Sequence, residues 1–215
     1  MFGGGTDYPI WYRENEGCVI SATINKYSYV TLRELPPFFD YRFRVRYFKD
    51  EMVRSINEIS HPSVRECMKY LGHPEGLGIE VVHHADLPAR SGLGSSSSFT
   101  VGMLHALSSL HGKLTNKREL ALNAIDVEQN HIREVVGSQD QVAAAFGGLN
   151  YIHFARSGNI EVDPICLSES RFNQLEENLL LCFTGFSRTA SEIAVHQVEK
   201  TKECKIELNE IRAIC

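Results

Sequence analysis

Residues 86–104, DLPARSGLGSSSSFTVGML, set four serines behind Gly-Leu-Gly and run straight into an apolar periodic segment. Phe99, Met103, Leu107 and Leu110 recur at helical spacing and Gly112 follows them, which places the serines at a helix N-terminus. Gly92 and Gly94 permit positive φ and let backbone come close to a ligand. The free N–H groups and the positive dipole end of a helix start attract an anion. The hydroxyls of Ser95, Ser96 and Ser97 add donors, and a hydroxyl beside bound phosphates can also ligate Mg²⁺. The stretch therefore has the chemistry of a phosphate cradle. It is not a Walker A loop, because Gly112-Lys113 has no glycine five positions before it and is followed by Leu114. Nor is it a dinucleotide fingerprint or a G-x-S-x-G elbow. Glycine and serine also serve as ordinary turn and capping residues, so this stretch alone leaves both readings open.

Two carboxylates follow. Asn116 and Glu119 have the spacing of a capping box, and Leu120, Ala124, Val127 and His131 mark an inward helix face on which Glu128 also lies. A carboxylate aimed inward is costly unless it meets a cation, a metal or several donors; the two readings are a Mg²⁺ ligand facing the serines and a helix-edge side chain reaching water. In VGSQDQVAAAFGG, residues 136–148, Ser138 and Gln141 have capping-box spacing. A short helix is expected from about Gln139 to Gly147, with Asp140 in its first turn. There the dipole favours the charged form by roughly 0.3–1 kcal/mol, so Asp140 is expected to stay ionised unless burial raises its pKa. The apolar VAAAF behind it predicts a buried helix.

The elements that must position these groups are strands first and helices in the middle. Residues 18–35 and 41–48 are rich in β-branched and aromatic types and read as strands, as does IEVVHHADL, residues 79–87. Arg42, Arg44 and Arg46 share one strand face, which suits a solvated strand face or a cover over acidic neighbours better than a nucleic-acid surface. His83 and His84 adjoin on a strand and point to opposite faces, so they cannot form one metal site. Pro62 and the glycines at 72, 76 and 78 bracket a short helix near residues 63–71, and YIHFARSGNIEV reads as a hairpin turned at Ser157-Gly158-Asn159.

Composition sets the bounds. The 215 residues are 43% hydrophobic and 23% charged, enough apolar material for a core, and the net charge of −5 argues against a nucleic-acid partner. No apolar run reaches about 18 residues and the N-terminus has no signal-peptide pattern, so a soluble cytoplasmic protein with no membrane partner is expected. The six cysteines, at 18, 67, 166, 182, 204 and 215, have no zinc spacing and read as reduced thiols.

GGGTDYP at 3–9, LPARSGLGSSSSFTVG at 87–102 and GSQDQVAAAFGG at 137–148 together resemble the motifs of the GHMP kinases, the superfamily of galactokinase, homoserine kinase, mevalonate kinase and phosphomevalonate kinase. Within it the chain is most similar to bacterial D-glycero-D-manno-heptose 7-phosphate kinases, with fucokinase-type enzymes next; TGFSRTASEI at 184–193 carries the narrower match. The resemblance implies an α/β fold (α+β, two-layer). It has an N-terminal ATP- and sugar-binding domain over residues 1–165, like ribosomal protein S5 domain 2, and the start of a ferredoxin-like C-terminal domain over 166–215. It implies ATP and Mg²⁺, and transfer of the γ-phosphoryl to the anomeric hydroxyl of a sugar phosphate for nucleotide-activated heptose and surface polysaccharide. By the same resemblance Pro88, Gly92, Leu93, Gly94, Ser95, Ser96 and Ser97 hold ATP, Ser96 (or Ser95) and Glu128 hold Mg²⁺, and Asp140 acts on the substrate hydroxyl. Gly4, Gly5, Thr6 and Asp7 bind sugar hydroxyls, and Ser187 and Arg188 bind the sugar's own phosphate. A homodimer is among its implications.

Family members carry a strand and a basic residue before G-G-G-T-D and a C-terminal glycine-rich loop. Here neither is present, so the sequence is expected to be a fragment or truncated product, whose activity alone is left open. The alternatives are a fucokinase-like enzyme of an unphosphorylated sugar and a non-catalytic sugar- or nucleotide-binding relative.

Overall fold

The computed structural model describes residues 2–88, 91–180, 198–201 and 203–215. Two compact units divide the chain, one of residues 1–23 with 147–215 and the other of Ile24–Phe146. The expected boundary near residue 165 therefore falls inside the first unit, whose two segments are brought together by strand pairing that is long-range in sequence.

In the first unit helix α1 (Pro9–Asn15) opens on proline at its first turn and is followed by β1 (Gly17–Ala22). Strands β6 (Leu149–Phe154) and β7 (Ile160–Pro164) form the expected hairpin, with Gly158 at φ +89° in its turn. β1 pairs antiparallel with β6, Val19 opposite Ile152, to give the sheet order β1-β6-β7. Tyr12 of α1 stacks on Phe154 of β6, ring centroids 5.5 Å apart, and Trp11 is buried beside it in the sequence. Helices α6 (Glu169–Glu177) and α7 (Lys205–Ile214) complete the described part of this unit; the Cys18 thiol on β1 donates to the Arg212 carbonyl of α7 at 3.4 Å.

The second unit holds the serine stretch. Its sheet runs β2-β5-β3-β4, formed by β2 (Ser28–Glu34), β3 (Phe43–Arg46), β4 (Asp50–Val53) and β5 (Ile79–Ala85). β5 is antiparallel to β2 and parallel to β3. One face carries Phe43, Val45, Ile79 and Val81, which pack with Val64 and Met68 of α2 (Pro62–Tyr70) and with Met103, Leu104 and Leu107 of α3 (Ser95–Leu110). Each such fully buried side chain contributes roughly 1.5–3 kcal/mol of transfer free energy. On the opposite face Arg44 makes a two-pronged bond to Asp50 at 3.0 and 2.7 Å, and Arg33 meets the buried Glu80 at 2.7 Å. Arg44 also reaches Glu80 at 3.4 Å, so Arg44 covers acidic neighbours. His83 and His84 point to opposite faces, His83 onto Ser28 and Phe99 and His84 to solvent.

α3 begins where the sequence places it, and its buried residues Phe99, Met103 and Leu107 are those of the apolar period. Gly112 stands just past its end at φ +68°. Helix α4 (Lys117–Asp126) is capped by the Asn116 side chain, which accepts from the Glu119 N–H at 2.9 Å. It does not continue as a plain α-helix. A wider π-helical turn spans Val127–Ile132 and ends at Arg133 in the left-handed region, φ +63°. Such turns concentrate at functional sites because they re-aim the side chains they carry. Helix α5 (Gln139–Phe146) follows.

Candidate phosphate and metal site

The loop into α3 has the geometry of a ligand cradle. Gly92 and Gly94 take φ of +74° and +70°, a left-handed conformation that only glycine adopts freely. Gly94 is the N-cap, and among the described residues no side chain caps the helix. The first helical bond runs from the Ser98 N–H to the Gly94 carbonyl at 2.9 Å, so the N–H groups of Ser95, Ser96 and Ser97 precede it. Pro88, Gly92, Leu93 and Ser96 are exposed, and Ser95 is half-buried. Ser97 differs from its neighbours: it is buried and its hydroxyl donates to Glu128 Oε2 at 2.9 Å. The hydroxyl that meets the inward carboxylate is thus that of Ser97, and Ser96 points to solvent.

Glu128 is 1% exposed, on the π turn. Its Oε2 accepts from Ser97 and from the Gln141 amide of α5, while its Oε1 has no hydrogen-bond partner among the described residues. The Thr100 hydroxyl next to it donates to the Ser96 carbonyl at 3.2 Å. Burial raises the Glu128 carboxyl above the usual carboxylate range, opposed by the Thr100, Gln141 and Ser97 side chains. A buried carboxylate oxygen without a donor is expensive and calls for a cation or a ligand donor. Hard oxygen atoms, one or two carboxylates among them, are what Mg²⁺ takes alongside phosphate oxygens. The donor set fits that ion, and Glu128 Oε1 is the atom that would hold it.

Asp140 faces the same loop. A Cβ placed on Gly94 would lie 3.2 Å from Asp140 Cγ and 3.3 Å from Oδ2, so the carboxylate occupies the space a side chain at position 94 would need. Asp140 stays accessible to solvent, yet the protein crowded round it raises its pKa. The dipole argument pointed to the opposite sign; desolvation wins because one first-turn dipole contributes less than one pKa unit. The loop leading to α5 is held by Gln129, whose amide donates to the Val136 and Gly137 carbonyls and to Ser138 Oγ at 3.1, 3.3 and 3.1 Å. The reciprocal half of the expected capping box is missing: Gln141 turns its N–H₂ to Glu128, and its Oε1 is buried with no partner among the described residues. Gln141 is the residue that sequence reasoning misplaced. Its signal was a second polar side chain directly after Asp140 in an otherwise apolar helix.

The first motif lies in the other unit. The Thr6 hydroxyl accepts from the Cys18 N–H at 3.1 Å and lies 2.8 and 2.9 Å from the Gly3 and Cys18 carbonyls. The Asp7 carboxylate accepts from the Gly5 N–H at 3.0 Å. Both side chains are wholly buried, while Gly4 is exposed. Ser187 and Arg188 lie outside the described residues. Among the described residues no group of three or more His, Cys, Asp or Glu side chains could hold a metal, and no helix is long and apolar enough to cross a membrane.

Residues 61–148, which include the cradle, Glu128 and Asp140, match the family model of the GHMP kinases N terminal domain. This segment is similar to the GHMP kinase N-terminal domain. The chain is 28% identical over 212 residues to D-glycero-alpha-D-manno-heptose 7-phosphate kinase of Campylobacter jejuni, covering 93% of this chain and 61% of that protein. It is 28% identical over 194 residues to a galactokinase of Chloroflexus aurantiacus, covering 86% and 46%. Its fold matches the crystal structure of a D-glycero-D-manno-heptose 1-phosphate kinase from Bacteroides thetaiotaomicron with a TM-score of 0.77 at 25% identity, over 98% of this chain and 70% of that one. The chain thus spans less than two thirds of the length of these curated relatives, and the mixed helix-and-sheet architecture is that of the GHMP kinase fold.

Proposed function

We propose that the chain is part of an ATP-dependent GHMP sugar kinase that phosphorylates the anomeric hydroxyl of a heptose phosphate, D-glycero-D-manno-heptose 7-phosphate. The observation that carries this reading is the convergence on the start of α3 of an open glycine and serine cradle, the Asp140 carboxylate against Gly94 and the Glu128 Oε1, which has no partner among the described residues. Phosphoryl transfer passes through a loose transition state, so it needs positioning and neutralised charge more than a strong base. The backbone N–H groups of Ser95, Ser96 and Ser97 supply donors to the ATP phosphates, and the Ser95 and Ser96 hydroxyls remain free to add to them. Mg²⁺, when bound, supplies positive charge against the phosphates, and Glu128 holds it. Asp140 orients the attacking hydroxyl and takes its proton late in the transfer; a carboxyl raised by burial is better matched to that proton than an ordinary one. Gly4, Gly5 and Asp7 would bind sugar hydroxyls and Ser187 with Arg188 the sugar's own phosphate, an Arg fork being suited to a dianion. The division into an N-terminal ATP- and sugar-binding domain over 1–165 and a C-terminal start over 166–215 belongs to the same reading.

The two heptose kinases named above differ in the phosphate their names carry, 7-phosphate and 1-phosphate, which is why the substrate is the point to test. ADP release is measured on the whole protein of which the chain is part, with ATP and Mg²⁺ across heptose 7-phosphate, heptose, fucose and galactose. Turnover confined to heptose 7-phosphate is the expected result. Turnover of fucose alone replaces the substrate, and ATP binding with no turnover of any sugar overturns the kinase in favour of a binding protein.

A further inference from the structure

The Glu128 carboxylate is held unevenly. Oε2 takes two donors, one from α3 and one from α5, and Oε1 takes none among the described residues, the neighbouring Thr100 hydroxyl being given to the Ser96 carbonyl. Two bonds converging on one oxygen fix both the position and the rotation of a carboxylate, and so decide which oxygen faces a ligand. From this asymmetry we infer that Gln141 is a positioning residue: with Ser97 it pins Glu128 so that Oε1 is the oxygen presented to a divalent cation. The inference rests on the kinase reading and deepens it.

Three features separate this from ordinary core packing. Gln141 is 0% exposed and donates to a carboxylate that is itself 1% exposed, so the bond is charge-assisted and unscreened by water. The amide orientation is settled by chemistry, since a carboxylate oxygen accepts only from the N–H₂ group. That leaves Gln141 Oε1 as a second buried acceptor without a donor among the described residues, able to take a hydrogen bond from a water of the hydrated ion. Finally, Gln141 follows Asp140 on α5, and the helix start is tied down through Gln129. One short helix thus carries both the carboxylate that acts on the hydroxyl and the amide that aims the metal ligand, and a shift of α5 would disturb both together. Outer partners of metal ligands typically account for 10–100-fold in affinity.

The test uses Mn²⁺ as the probe, its free concentration read by electron paramagnetic resonance with the full chain in the presence of ADP. Gln141→Met keeps the volume and removes the donor; Gln141→Glu keeps the shape and sets a second acceptor against Glu128. Both are expected to weaken Mn²⁺ binding about 10-fold or more, with Gln141→Met also requiring more Mg²⁺ for half-maximal rate while saturating Mg²⁺ recovers most of kcat. Thermal melts report folding separately, and if Gln141→Met unfolds, Gln141→Glu carries the comparison. Unchanged Mn²⁺ affinity in folded variants, against a parent that binds the ion, overturns the positioning role and leaves the kinase standing. A parent that binds no Mn²⁺ overturns both.

Discussion

The loop into α3 and the turn of the first motif are both glycine-rich, and they spend their polar atoms in opposite ways. In residues 3–7 the Thr6 hydroxyl is committed to the backbone at Gly3 and Cys18, and the Asp7 carboxylate accepts from Gly5. A Cβ on Gly3 would lie 2.0 Å from the Cys18 carbonyl oxygen, so the glycine there is required by close backbone packing. Around α3 the polar capacity is left over: Ser91 Oγ, Glu128 Oε1 and Gln141 Oε1 are buried without partners among the described residues. Buried polar groups normally find partners. Trp11 Nε1 and Ser21 Oγ of the first unit are also unpartnered among the described residues, so what points to a ligand is the gathering of unspent acceptors beside an open cradle, and glycine content alone does not.

The comparison breaks most easily at Asp140. Asp140→Asn should cut phosphoryl transfer by roughly 10²–10⁴ while ATP affinity changes little, as read by ADP release beside nucleotide titration; a variant within a few-fold of the parent removes Asp140 from its role. The pH profile sharpens the point. The base must be ionised, and its pKa is raised by the desolvating protein crowded round it, so activity should fall on acidification at a pH above the usual aspartate range, and this limb should vanish from whatever rate Asp140→Asn retains.

The two cradle glycines give the next largest effect. Both have positive φ, but among the described residues a Cβ on Gly92 meets nothing within 4 Å, whereas one on Gly94 meets Asp140. Alanine at either pays about 1–2 kcal/mol of left-handed strain. Only Gly94→Ala must also displace the carboxylate, and a misplacement of about 1 Å can cost 10²-fold in rate. We expect kcat to fall about tenfold or more for Gly94→Ala and to stay within about threefold for Gly92→Ala. Equal losses would show that strain, not the Asp140 contact, governs the loop.

Much of this neighbourhood was legible because it depends on local rules. The start of α3, its apolar stripe, the Gly112 end and the inward face bearing Glu128 follow from spacing. What was not legible depends on contacts far apart in sequence. The π turn adds a residue to a turn without any marker in composition, and it helps decide that Glu128 meets Ser97 and not Ser96. Gln141 fitted the capping-box pattern at the same spacing with which it serves Glu128, so pattern alone could not choose. His131, placed on the inward face by spacing, is exposed for the same reason, since the helix period changes before it. The four-residue β4 and seven-residue α1 are too short to show a period, and the division at residues 23 and 146 arises from pairing of β1 with β6, which sets Val19 opposite Ile152, 133 residues on.

The smallest effect belongs to the first motif, and it tests the comparison from the other side. Thr6→Val keeps the shape and deletes the hydroxyl that the Cys18 N–H donates to at 3.1 Å, in a site with no access to water. The buried donor left behind costs about 1–3 kcal/mol, which should appear as a lower thermal midpoint. If Thr6 is wholly committed to the backbone, the KM for sugar should not change, because no atom of its side chain is offered to a ligand. A raised KM without loss of stability would return Thr6 to the sugar site, and would show that a fully bonded side chain can still answer to substrate.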